Sequence, residues 1–176
     1  MRRQDLEHII RAAGGIIQAD ELVIIGSQAI LGSYPHAPPE LLTSMEADVY
    51  PLTQPGKADL IDGSIGEGSL FHMEFGYYAH GVGPETAFLP ARWRERLVPI
   101  CNENTRRVTG LCLHPCDLAV SKLLAGRDQD FRFVQALLRH RLVSEDAIRE
   151  VARELGEEHE RLVNRRLLER VGTPNR

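Results

Sequence analysis

Two short stretches decide the fold. The first is Leu22-Val23-Ile24-Ile25-Gly26-Ser27-Gln28-Ala29-Ile30-Leu31, and the second is Glu46-Ala47-Asp48-Val49-Tyr50-Pro51. Leu22 to Ile25 is a β-rich apolar run of strand length, broken by Gly-Ser, after which Gln28 to Leu31 reads as a helix start. The second stretch alternates polar and apolar residues and is stopped by Pro51, which reads as another strand. Between them, residues 33–45 contain Pro35, Pro38 and Pro39 and read as a loop.

In a strand, residues i and i+2 face the same way, so Glu46 and Asp48 converge on one spot. Two close carboxylates repel unless a positive charge lies between them, and a hard divalent cation such as Mg²⁺ suits an all-oxygen site shared with substrate phosphates. The N–H groups at Gly26-Ser27 open a helix, where partial positive charge favours an anion, and glycine permits its close approach. A phosphate site and a metal site are therefore expected side by side.

Working outward, Leu6, Ile9, Ile10, Ala13, Ile16 and Ile17 recur at helical spacing, with Asp5, Glu7 and Arg11 assigned to the opposite face, which predicts a helix over 3–18. Residues 57–66 form a candidate short helix, and a strand is expected near Leu70 to Phe75 among glycines. Leu97 to Cys101 and Arg107 to Leu113 flank Asn102-Glu103-Asn104 as a hairpin. From Pro115 onward the pattern is helical over 115–125, 128–140, 144–155 and 157–170. The expectation is an α+β region over 1–114 and a helical C-terminal region over 115–176.

The whole chain has 176 residues, 43% hydrophobic and 26% charged, an ordinary globular composition. Its longest apolar runs are far shorter than the ~20 residues of a membrane span. Residues 1–18 lack the apolar core of a secretory signal, which leads to an expected cytoplasmic location. Cys101, Cys112 and Cys116 read as reduced thiols, and the spacing of Cys112, His114 and Cys116 is unlike that of common zinc sites. A net charge of −4 argues against a generally nucleic-acid-binding surface, leaving a local groove built from Arg132, Arg139, Arg141, Arg165 and Arg166 as the alternative. Lys57 and Lys122 are the only lysines among 21 basic residues. That singles them out, because lysine acts on phosphate as a compact point charge.

Ile25-Gly26-Ser27 followed by Glu46-Ala47-Asp48-Val49 resembles the nucleotidyltransferase superfamily of DNA polymerase β type. There a hydrophobic residue, Gly and Gly or Ser precede two alternating carboxylates. Here the gap between the two parts is longer than usual, absorbed by the 33–45 loop, and Glu stands at the first acidic position. The segment from His114 to Asp130, with Asp117-Leu118, Lys122, Ala125, Arg127 and Asp130, is similar to nucleotidyltransferase-like proteins of the abortive-infection and toxin–antitoxin type.

The resemblance implies a small mixed sheet flanked by helices, and Mg²⁺-dependent transfer of an NMP from an NTP to an acceptor. It implies Glu46 and Asp48 as metal ligands and catalytic residues. Lys122 and Arg127 would join Gly26 and Ser27 in nucleotide binding, Lys122 counting also as catalytic, and Asp130 would be a further active-site carboxylate. An RNA acceptor and a cognate antitoxin protein are implied in the same way. For a third carboxylate that activates the acceptor hydroxyl no Asp or Glu is clearly placed; Glu74 is the first candidate, and the resemblance offers Asp130 as its substitute. The competing expectation is a fold of the same type that has lost turnover and acts by binding a protein or nucleic-acid partner.

Overall fold

A computed structural model describes residues 1–171. The last five residues of the expected helical region 115–176 lie outside the described residues. The helices are α1 Arg3–Ile17, α2 Ile30–Ser33, α3 Ala58–Ile65, α4 Leu70–Phe75, α5 Pro115–Ala125, α6 Asp128–Arg139, α7 Glu145–Ala152 and α8 Glu157–Arg166, and a π-helical turn follows over Leu167–Val171. The strands are β1 Glu21–Ile24, β2 Glu46–Pro51, β3 Tyr78–Gly81, β4 Val98–Ile100 and β5 Thr109–Cys112. They form one mixed sheet in the order β3-β2-β1-β5-β4. β1 is antiparallel to β2 and parallel to β5, while β2 runs parallel to β3 and β4 antiparallel to β5. This is the expected α+β architecture, hairpin included.

Helices α1 and α3 pack together and on the strands from β1 to β3, whereas α2 packs against β4, β5 and α5. Helices α6, α7 and α8 are arranged around α5. One apolar cluster runs from Leu6 through Val23, Val49, Leu118 and Val134 to Val171, so the sheet and the C-terminal helices share a core. No helix among the described residues is long and apolar enough to cross a membrane.

Three details depart from the pattern read in the sequence. Ile16 lies at the margin of the apolar face of α1 and is partly exposed. Glu7, assigned to the outer face, is buried, and its carboxylate accepts hydrogen bonds from Asn102 Nδ2 and Asn104 Nδ2, both at 2.8 Å, and from Arg3 Nε at 2.9 Å. These contacts tie the β4–β5 connection to α1.

The third departure is larger: Leu70 to Phe75 is a helix, and the strand lies later, at Tyr78–Gly81. Ser69 caps α4 by accepting the His72 N–H at 3.1 Å, and Gly76 closes it at φ +75°. Phe71 and Phe75 pack at helical i,i+4 spacing with their rings tilted and centroids 4.9 Å apart. These local signals outweigh the β preference of the aromatic residues.

Candidate active site

The two carboxylates of β2 emerge on one face because Ala47 and Val49, which alternate with them, are buried in the core. The register of β2 with β3 sets Glu46 opposite Tyr78 and Asp48 opposite His80. Tyr78 Oη donates to Glu46 Oε2 at 2.9 Å. His80 Nδ1 lies 3.3 Å from Glu46 Oε1 and 3.2 Å from Asp48 Oδ1. One oxygen of each carboxylate and a ring nitrogen of His80 fall within 4.8 Å of one another. Among the described residues this is the one group of three or more such side chains close enough to hold a metal ion.

Electrostatics follow from this crowding. Burial and the neighbouring Glu46 push the Asp48 carboxyl up to about 6, with His80 opposing them. For Glu46, burial acts upward, but hydrogen bonds with Asp48 and Tyr78 and the charge of His80 outweigh it and hold the carboxyl below its ordinary value. His80 is raised, because the attraction of the two carboxylates exceeds the cost of burial. The cluster therefore has more negative charge than its one imidazole can compensate.

Gly26 ends the β1 segment directly against Asp48. Its φ is +29°, and a Cβ there would lie 2.0 Å from Asp48 Oδ2. Only glycine leaves that oxygen its space. The Ile25 N–H donates to the Asp48 carbonyl at 3.0 Å, which fixes the two segments together. Ser27 begins a single 3₁₀ turn that passes into the four-residue α2, so only a short helical dipole backs the Gly26-Ser27 amides.

Facing the carboxylates are side chains from α5 and α6. His114 caps α5, accepting the Cys116 N–H at 3.3 Å, Pro115 occupies its first turn, and Gly126 closes it at φ +73°. Lys122 lies in its last turn with Nζ 4.8 Å from the centre of the Phe133 ring. The same Nζ donates to Asp130 Oδ1 at 3.1 Å, while Arg127 Nε donates to Asp130 Oδ2 at 2.7 Å. Asp130 also accepts the Arg127 N–H at the start of α6. Burial opposes its ionisation, but Arg127 and Lys122 hold it below the usual carboxylate value.

Between these walls is a cleft of about 490 Å³. It is lined by Gly26 and Ser27, by Glu46, Asp48 and His80, by Lys122 and Arg127, and by Thr43 and Ser44 of the 33–45 loop. The loop is pinned to the C-terminal helices: Glu40 accepts from Arg139 Nη1 at 2.8 Å, and Tyr34 Oη donates to the Leu142 carbonyl at 2.5 Å.

Gly26, Ser27, Glu46, Asp48, Lys122 and Arg127 line this cleft, and Asp130 lies buried behind Lys122 and Arg127, whereas Lys57 lies outside it with Nζ 3.5 Å from the Ile17 carbonyl. Glu74 does not line it and is exposed on α4. Cys112 and Cys116 are buried thiols whose pKa values are pushed up to about 12 and about 11 by that burial, and all three cysteines are free. Of the five arginines considered for a nucleic-acid groove, Arg139 is paired with Glu40, and Arg166 donates to the Leu123 and Leu124 carbonyls at the end of α5.

Sequence reasoning missed His80 and Tyr78 as neighbours of the acidic pair. Their signal is the alternation Tyr78-Ala79-His80, two residues after the helix-closing Gly76.

Two carboxylates and an imidazole that converge within 4.8 Å, with Asp48 held in place against Gly26, fit a divalent cation. Lys122 and Arg127 across the cleft suit phosphate oxygens. No curated protein and no solved structure matches the chain. A family described as nucleotidyltransferase of unknown function (DUF6036) matches it over residues 4–168, nearly its whole length, and the chain belongs to that family.

Proposed function

We propose that the protein transfers an NMP from an NTP to an acceptor hydroxyl, with a divalent cation, expected to be Mg²⁺, held by Glu46 and Asp48. The observation that carries this reading is the cleft in which the acidic pair of β2 faces Lys122 and Arg127 beside Gly26-Ser27. When bound, the cation supplies Lewis-acid polarisation and charge neutralisation at the phosphates.

The chain's own residues do the rest. Lys122 and Arg127 hold the phosphate chain by charge-assisted hydrogen bonds, and the Gly26-Ser27 backbone and the Ser27 hydroxyl add donors. Asp130 orients both cations from behind. The acceptor hydroxyl oxygen forms a bond to the α-phosphorus and releases its proton to solvent, as the bond to the pyrophosphate oxygen breaks and pyrophosphate leaves. Positioning and electrostatic stabilisation account for most of the acceleration in chemistry of this kind.

An RNA acceptor and an antitoxin partner, in a toxin–antitoxin or phage-defence setting, are supported by the likeness of the 114–130 segment to proteins of that type. In this reading residues 1–114 supply the metal side of the cleft and the helical region from 115 supplies its phosphate side. One observation favours a second reading, a partner-binding module without turnover: among the described residues the metal cluster contains two carboxylates and no third.

Incubation with each α-³²P-labelled NTP, Mg²⁺ and total RNA, beside a Glu46→Ala/Asp48→Ala variant, separates the two. Label that moves onto RNA or protein with the wild type alone supports the enzyme and identifies nucleotide and acceptor. A folded wild type that moves no label under any NTP supports the module.

A further inference from the structure

We infer that His80 is a third ligand of the metal site and that its nitrogen makes the site take a first-row transition ion in preference to Mg²⁺. This rests on the metal-dependent reading above and replaces the Mg²⁺ expected there with a transition ion.

The geometry behind it comes from three places in the chain. β3 register brings His80 opposite Asp48 rather than opposite a core residue. Nδ1 reaches both carboxylates almost equally, at 3.3 Å and 3.2 Å, so it occupies the concave side of the pair and does not simply pair with one member. Tyr78 engages Oε2 of Glu46, leaving Oε1 as the oxygen nearer Nδ1. Asp48 Oδ2 packs against Gly26, in the space that a Cβ there would take, which fixes the carboxylate's orientation. Side chains from two strands thus present two oxygens and one nitrogen to one position.

The chemistry of that donor set differs from an all-oxygen site. Mg²⁺ demands hard oxygen ligands and sheds its waters reluctantly. Imidazole suits transition ions, and an N/O site gains affinity along the series that begins with Mn²⁺. Asp48 and Glu46 alone would serve either class of ion. The imidazole is what tips the choice.

Mn²⁺ is the probe, because its electron spin reports directly on a coordinated nitrogen. The full-length protein is titrated with Mn²⁺ alone, examined by pulsed electron paramagnetic resonance for ¹⁴N coupling, and then challenged with Mg²⁺, beside His80→Asp and Glu46→Ala/Asp48→Ala variants. His80 is half exposed, so its replacement leaves the fold intact.

The expected result is bound Mn²⁺ with ¹⁴N coupling and a preference over Mg²⁺ of about 10- to 100-fold, the range in which even supporting partners of a metal site act. In His80→Asp the coupling disappears and the preference collapses. Mn²⁺ that binds the wild type without ¹⁴N coupling, or whose coupling survives in His80→Asp, overturns the inference and leaves the metal-dependent reading standing. Failure of the wild type to bind Mn²⁺, or equal binding by the Glu46→Ala/Asp48→Ala variant, overturns both.

Discussion

Lys122 Nζ lies 3.1 Å from Asp130 Oδ1, and the Asp130 side chain is fully buried while Lys122 borders the cleft. With Arg127 on its second oxygen, the carboxylate has both faces occupied and serves the cations rather than the solvent. An Asp130→Asn variant keeps the shape and loses the charge that collects Lys122 and Arg127. Charge-assisted hydrogen bonds of this kind contribute about 1.5–3 kcal/mol each. Chemical denaturation should show a loss of that order, and isothermal titration should show weaker NTP binding with metal binding retained.

Gly26→Ala is expected to act at Asp48 more than on the fold. A residue with a Cβ at φ +29° costs roughly 1–3 kcal/mol in backbone strain, and its Cβ collides with Asp48 Oδ2. A modest fall in unfolding free energy together with a large loss of divalent-ion affinity, read by titration calorimetry, is the expected pair of results.

Arg96 holds the C-terminal helices to the sheet region. Its guanidinium donates to Asp117 at 2.7 and 2.9 Å and to Glu154 at 2.7 and 2.9 Å, and the Asp117 side chain has no exposure. Arg96→Met should cost about 3–5 kcal/mol because Asp117 is left buried and unpaired. Adding Asp117→Leu should recover much of it, as measured by urea midpoints.

Glu154 gives the same network a pH signature. Hydrogen bonds from Arg96, working against some burial, lower its carboxyl from the ordinary 4.5 to about 2. A carboxyl depressed in the folded state stabilises fully above its unfolded value, and that contribution fades as pH falls from 4.5 toward about 2. Thermal melting of Glu154→Gln across this window should vary less with pH than that of the wild type.

Glu74 is exposed on α4 and outside the cleft. Glu74→Ala is expected to change stability by less than about 0.5 kcal/mol and to leave label transfer from the NTP unaltered.

Most of the architecture was legible in the sequence because apolar periodicity is a local signal. The helix over 115–125, opened by Pro115 and closed by Gly126, is bounded by residues whose backbone preferences act within one turn. The same logic placed β1, β2 and the 98–112 hairpin. It misplaced β3, where the flanking glycines read as turns around a strand, although Ser69 and Gly76 bracket a helix. Glu7 was misassigned because its partners, Asn102 and Asn104, are more than ninety positions away.

What the chain determined by itself is the pair of carboxylates on one face of β2, since a period of two is a property of any strand. The glycine at the end of the first strand region and the single lysine of the last helical half were likewise visible as residues with special chemistry. Only the tertiary structure decided what faces them. The β2–β3 register sets His80 against Asp48 across thirty-two positions, and α5 with α6 turns Lys122 and Arg127 onto Asp130 and the cleft rim. Register and helix docking are fixed by burial of Ala47, Val49, Ala79, Leu118 and Val134 in one shared core, and no local window of sequence contains that information.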